Sequence, residues 1–248
     1  MQDSKKIIEN CKVLLEAFKS GKLGQTRMPE DSNPRFKDDE MELRFAYFSL
    51  PMALNYQRNS YTLWESALKT YQDEETKNVF DVAKVSQMNF DKLQSYLLKY
   101  KLALQPNKHT TTWQTIAKTI NNNFGSFVNL IDKADTDYLK LKEIVQIKNK
   151  KGFPYLSGPK IFNYWSFILK EYGKTQLKNV EFIEIAPDTH VTQCSVKLGV
   201  ITEKEAETLS KDAISNRWRE VLKDSGIAPI EMHPPLWFWS RNGFIFKI

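Results

Sequence analysis

The chain has 248 residues, 41% of them hydrophobic and 27% charged, with a formal charge of +6. These figures fit a globular protein of one large domain or two small lobes, and the basic balance points toward polyanions, of which phosphate backbones are the commonest. The two cysteines, Cys11 and Cys194, form no CxxC or His/Cys cluster, which argues against structural zinc, a disulfide framework or a four-cysteine iron–sulfur centre.

Along the chain, Ile7, Ile8, Val13, Leu14, Leu15 and Phe18 recur at near-helical spacing and predict an amphipathic helix over residues 3–19. Residues 21–39 are polar, carry Gly21, Gly24, Pro29 and Pro34, and read as a long surface loop. Helical patterns follow over about 41–55, 61–71, 76–103, 112–121, 124–132 and 136–147. Only 180–185 alternates enough to suggest a strand, and there is no internal repeat. His109, His190 and His233 are scattered without metal-ligand spacing, so no metal is expected. The N-terminal stretch has no apolar signal core and no run of about eighteen apolar residues occurs, so the expected setting is a reducing cytoplasm with no membrane.

The segment 148–160 carries Lys148, Lys150 and Lys151 and is punctuated by Gly152, Pro154, Gly158 and Pro159. It runs into 161–172, where Ile161, Trp165, Ile168, Leu169 and Tyr172 share one helical face, with Asn163 and Ser166 opposite. A turn of small residues that opens a helix exposes backbone N–H groups beside the positive end of the dipole, a seat for a phosphate. Here Ser157 and Gly158 are the expected backbone contacts, with Lys148, Lys150 and Lys151 around them. Lys160 stands at the helix entrance, and a lysine amine becomes a nucleophile when desolvation or nearby positive charge lowers its pKa.

After a connector of about fifteen residues, Asp188 follows Pro187 and precedes the apolar-periodic Val191, Cys194, Val196 and Leu198. That is an N-cap signature, and a carboxylate held at a helix N-terminus stays ionised. Gly199 ends that helix, and a further one fits 203–224, closed by Gly226. The last segment is aromatic-rich and includes Trp237 and Trp239.

Leu156-Ser-Gly-Pro-Lys160 followed by Pro187-Asp-Thr-His-Val191 resembles the helix-hairpin-helix Gly/Pro–Asp motif of endonuclease III-type DNA glycosylases. The hairpin is shorter than the family's by two residues, one of them its second glycine. The resemblance implies an all-α, two-lobed fold with a DNA cleft between the lobes, here 61–199 and 1–60 plus 200–248. It also implies Lys160 as the nucleophile at the sugar C1′ and Asp188 as the catalytic carboxylate.

The 28-residue separation of Lys160 and Asp188 is similar to that in the archaeal 8-oxoguanine glycosylase family. Residues 52–64 resemble that family's early Tyr-Gln helix, which implies Gln57 as a reader of the damaged base. Residues 233–239 resemble its C-terminal His…Trp segment, with Pro235 where the family has an aspartate, which implies Trp239 as the ring stacked on the base. The implied activity is excision of an oxidised purine, 8-oxoguanine first, from damaged double-stranded DNA by a monomer, through a lysine Schiff base and with no cofactor. The alternatives are a non-catalytic helix-hairpin-helix DNA-binding protein and a monofunctional glycosylase for alkylated or mismatched bases.

Overall fold

The structure is a computed structural model that describes residues 4–24 and 26–248; residue 3 of the expected first helix and Gln25 of the expected loop lie outside it. In chain order the helices are α1 (Ser4–Lys19), α2 (Met41–Leu54), α3 (Ser60–Gln72), α4 (Val82–Gln87), α5 (Phe90–Lys99), α6 (Pro106–Asn123) and α7 (Phe127–Lys133). They continue as α8 (Tyr138–Lys142), α9 (Pro159–Glu171), α10 (Thr189–Lys197), α11 (Glu203–Thr208), α12 (Lys211–Leu222) and α13 (His233–Arg241). The fold is all-α: among the described residues the sole β pairing is an isolated parallel bridge between Asp137 and Lys178.

The expected strand at 180–185 is instead a 3-10 turn over Val180–Phe182. Its alternation arises because Ile183 and Ile185 are buried while Phe182 is exposed. Two long expected helices are each broken by a capping side chain. In 76–103, Asp81 Oδ1 accepts from the Lys84 amide (3.0 Å) and starts α4, and Asn89 Oδ1 accepts from the Asp91 amide (2.9 Å) and starts α5. In 203–224, Ser210 Oγ accepts from the Ala213 amide (3.2 Å) and starts α12. Short polar side chains satisfy the free N–H groups of a new first turn and so favour a restart over continuation.

Two compact units divide the chain. The larger is Met28–Lys178 and holds α2 to α9; the smaller comprises the described residues of Met1–Arg27 and Asn179–Ile248 and holds α1 and α10 to α13. The limits differ from the expected 61–199 lobe at both ends, for identifiable reasons. Residues 41–54 belong with the hairpin's unit because Trp165 Nε1 donates to Ser49 Oγ (2.9 Å) and the Glu42 carboxylate caps α7 by accepting from the Phe127 and Val128 amides (3.0 and 2.9 Å). Residues 189–197 belong with the terminal segments because Cys194 Sγ donates to the Leu236 carbonyl (3.1 Å) and Trp218 Nε1 donates to Ser195 Oγ (2.8 Å).

The core of the larger unit is aromatic. Tyr47 packs against Phe36, Phe48, Trp64, Tyr71 and Phe80 with ring centroids 5.1–5.9 Å apart. Arg44 is drawn into this layer and holds the Phe36 and Lys37 carbonyls at 3.2 and 2.8 Å. Helix α9 is buried almost all round. Asn163 and Ser166, expected on a polar face, are buried: Asn163 Oδ1 accepts from the Tyr138 hydroxyl (2.5 Å) and Ser166 Oγ donates to the Phe162 carbonyl (2.9 Å). Each polar group entered the core with its hydrogen bond closed, which removes most of the cost of its burial.

Candidate functional site

Helix α8 continues as a π-helix over Glu143–Lys148, closed by the Asn149 N–H donating to the Ile144 carbonyl (2.9 Å). Such an insertion costs regular hydrogen bonding and is concentrated at functional sites. It turns Gln146 so that its amide donates to the Ser157 carbonyl (2.9 Å), across the hairpin that follows. The hairpin passes through a 3-10 turn at Lys150–Gly152, folds over the fully buried Phe153 and Leu156, and enters α9 at Pro159. Gly152 is required by close approach, since a Cβ there would lie 2.5 Å from Thr119 Oγ1 on α6. Tyr155 holds φ +61°, a left-handed conformation that costs a bulky residue about 1–3 kcal/mol.

The expected phosphate donors are placed differently from expectation. The Ser157 N–H donates to the Phe153 carbonyl (2.9 Å), its buried hydroxyl donates to the Lys150 carbonyl (3.3 Å), and the Gly158 N–H donates to the Tyr155 carbonyl (2.9 Å). The hairpin therefore consumes these donors to hold its own shape. Pro159 has no N–H and the Phe162 N–H returns to the Gly158 carbonyl, so the open amides at this helix end are those of Lys160 and Ile161. Lys148 is paired with Glu143 (2.9 Å), whereas Lys150 and Lys151 are exposed with no carboxylate partner among the described residues.

Lys160 is the second residue of α9, and its side chain is exposed at the end of the hairpin. Asp188, in the smaller unit, is the N-cap of α10: its Oδ1 accepts from the Val191 amide (2.9 Å). Gly199, at φ +75°, follows the end of α10 in the left-handed conformation that lets a helix stop. One residue beyond the cap of that first turn, His190 Nδ1 lies 3.0 Å from Ser240 Oγ, and its ring meets Trp237 edge-on at 5.6 Å. The Arg241 guanidinium covers the Trp237 ring at 4.6 Å. This His190–Trp237–Arg241 cluster went unread in the sequence, where His190 carries no metal or catalytic spacing.

The two expected base-binding residues are corrected. Gln57 is not on a helix: α2 ends at Leu54, and Gln57 is exposed in the loop before α3 with φ +48°. Trp239 is 1% exposed in the smaller unit, with Nε1 donating to the Phe246 carbonyl (2.8 Å) and Phe244 packed edge-on at 4.9 Å. It offers no face to a ligand and is a core residue.

Glu30 is a buried titratable residue without a sequence signal. It is 1% exposed, and neither carboxylate oxygen nor Trp64 Nε1 has a hydrogen-bond partner. Burial pushes its carboxyl up to about 7, opposed by the backbone and by the nearby Tyr164 hydroxyl and Trp64 indole. Burial also pushes the Cys11 and Cys194 thiols up to about 12, which leaves neither as a thiolate nucleophile at neutral pH. Among the described residues no group of three or more His, Cys, Asp or Glu is placed to hold a metal ion, and no helix is long and apolar enough to cross a membrane. Neither a protein-family model nor a curated protein matches the chain.

Proposed function

We propose that the chain is a DNA base-excision glycosylase with lyase activity, of the two-lobed helix-hairpin-helix kind, acting on an oxidised purine in double-stranded DNA. The observation that carries the reading is the placement of Lys160. A basic, internally bonded hairpin delivers it, exposed, to the open N-terminus of α9, beside the free amides of Lys160 and Ile161. A helix end of this kind suits a backbone phosphate, and a lysine there suits attack on the sugar next to it.

In this reading the target nucleotide is flipped out of the stack. The Lys160 amine attacks C1′, the C1′–N bond breaks and the base leaves with the bonding pair. The resulting iminium, once the sugar ring opens, is the Schiff base from which the strand is cleaved by loss of the 3′ phosphate. In the free protein the amine stands in solvent, and the docked nucleotide is what desolvates it. Asp188 supports positive charge developing on the same sugar while its second oxygen is left over from the cap. The residues that read the base are not Gln57 or Trp239. Borohydride reduction, which traps a lysine Schiff base as a stable amine, is the test: a covalent protein–DNA species on a lesion-bearing duplex is the expected product.

A further inference from the structure

Beside the hairpin, within the larger unit, lies a cavity of about 440 Å³ between the first half of α6 and the hairpin tip. Asn107, Lys108, Thr111 and Thr115 line it from α6, and Lys151 and Pro154 line it from the hairpin. No carboxylate is among its lining residues. The wall is fixed because Gly152 lies against Thr119 and Asn123 Nδ2 donates to Asn149 Oδ1 (3.2 Å).

The charge in this cavity is held in an unusual way. The Lys108 ammonium lies over two rings, 5.3 Å from Tyr56 and 5.0 Å from Tyr155, and the rings are 5.8 Å apart. Elsewhere on this unit lysines are fixed by carboxylates, as in Lys99 with Asp73 and Lys140 with Asp135. A carboxylate cancels the charge it positions; two aromatic faces position the ammonium and leave the charge standing. Among the described residues neither Lys108 nor Lys151 has a carboxylate within ion-pair distance. The strained backbone of Tyr155 is what turns its ring toward Lys108. The field is felt by a neighbour: His109 is held down to about 4 by burial first, and then by Arg58 and Lys108.

We propose that this cavity seats a backbone phosphate of the nucleic-acid strand, with Lys108 and Lys151 as its cations and the Thr111 and Thr115 hydroxyls and Asn107 amide as neutral donors. This rests on the DNA reading above and adds a second backbone contact, on α6, to the one at the mouth of α9. Two cations with uncharged donors and no acid match a phosphodiester, and the volume falls within the range of ligand pockets, about 300–1,000 Å³.

The test is fluorescence anisotropy of the full chain with a labelled undamaged duplex over a salt series, alongside borohydride trapping on a lesion-bearing duplex. Replacing both exposed lysines, Lys108→Gln with Lys151→Gln, is expected to flatten the slope of log affinity against log salt by about 1.8, at about 0.9 per lost contact. Thr111→Val with Thr115→Val is expected to weaken binding without changing that slope. If wild type traps but the lysine variant keeps the wild-type slope, the cavity proposal is overturned and the glycosylase reading stands. If the slope falls but wild type never traps, the cavity proposal stands and the glycosylase reading fails. If wild type shows no salt-dependent duplex binding, the cavity does not seat a nucleic-acid phosphate.

Discussion

The Gln146 side-chain amide donates to the Ser157 carbonyl at 2.9 Å, joining the π-helical end of one helix to the residue that precedes the entrance of the next. The bond spans the hairpin and sets the direction from which α9 starts, and hence where Lys160 stands. Gln146→Leu keeps the bulk and removes the donor. It is expected to cost about 0.5–1.5 kcal/mol, read as a lower urea midpoint, and to reduce lesion-dependent trapping more than duplex affinity. Unchanged trapping in the folded variant would mean that the hairpin holds its shape without this bond.

Asp188→Asn separates the cap from the chemistry. Asn caps a helix about as well as Asp, so the melting temperature is expected to move little. Turnover on a lesion-bearing duplex is expected to fall by about two orders of magnitude, as when a major electrostatic element is lost. A large loss of stability with turnover intact would leave Asp188 as the cap of α10 and nothing more.

Trp239→Ala is a stability variant. Its indole is buried, hydrogen-bonded to the Phe246 carbonyl and packed on Phe244. Truncation is expected to cost about 3–5 kcal/mol. Base excision and cleavage at a ready-made abasic site should then fall together, in proportion to folded protein. A selective loss of base excision in a fully folded variant would return Trp239 to the base pocket.

Glu30 predicts a pH dependence of stability. Its carboxyl is raised to about 7 by burial from a value of 4.5 when unfolded. Between those values the folded protein holds a proton that the unfolded chain has released, so stability falls as pH rises from 4.5 and levels off above 7. Glu30→Gln has no proton to lose. Thermal melts between pH 5 and 8 should show the wild type declining and the variant declining less, so that the variant is relatively the more stable at pH 8. Parallel curves would contradict a buried, protonated Glu30.

The helices were legible because their apolar spacing is set by the face each buries, as in α1, where Ile7, Leu14 and Ala17 are buried. The breaks were less legible. Asp81, Asn89 and Ser210 interrupt runs whose apolar period continues on the far side, so periodicity alone joins what capping separates. At the candidate site, the N-cap at Asp188 was readable because capping is local: an aspartate, three residues, one hydrogen bond. The Lys108–Tyr56–Tyr155 cluster was not, because its members are separated by about fifty residues on either side and meet only when the hairpin lies on α6. Gln57 and Trp239 were misplaced for the same reason. Neither sequence position says where a helix ends or which face of a ring is already covered.

Lys160 carries the central claim, and one measurement addresses it directly. Wild-type chain and Lys160→Gln are incubated with borohydride and a duplex containing 8-oxoguanine, and the covalent product is digested and mapped by mass spectrometry. Lys160 is exposed, so the substitution should leave the fold intact and duplex affinity within a few-fold. The account predicts a covalent species in the wild type, with the reduced adduct on Lys160, and none in the variant. A variant that traps at the wild-type rate, or an adduct mapped to any other lysine, would contradict it.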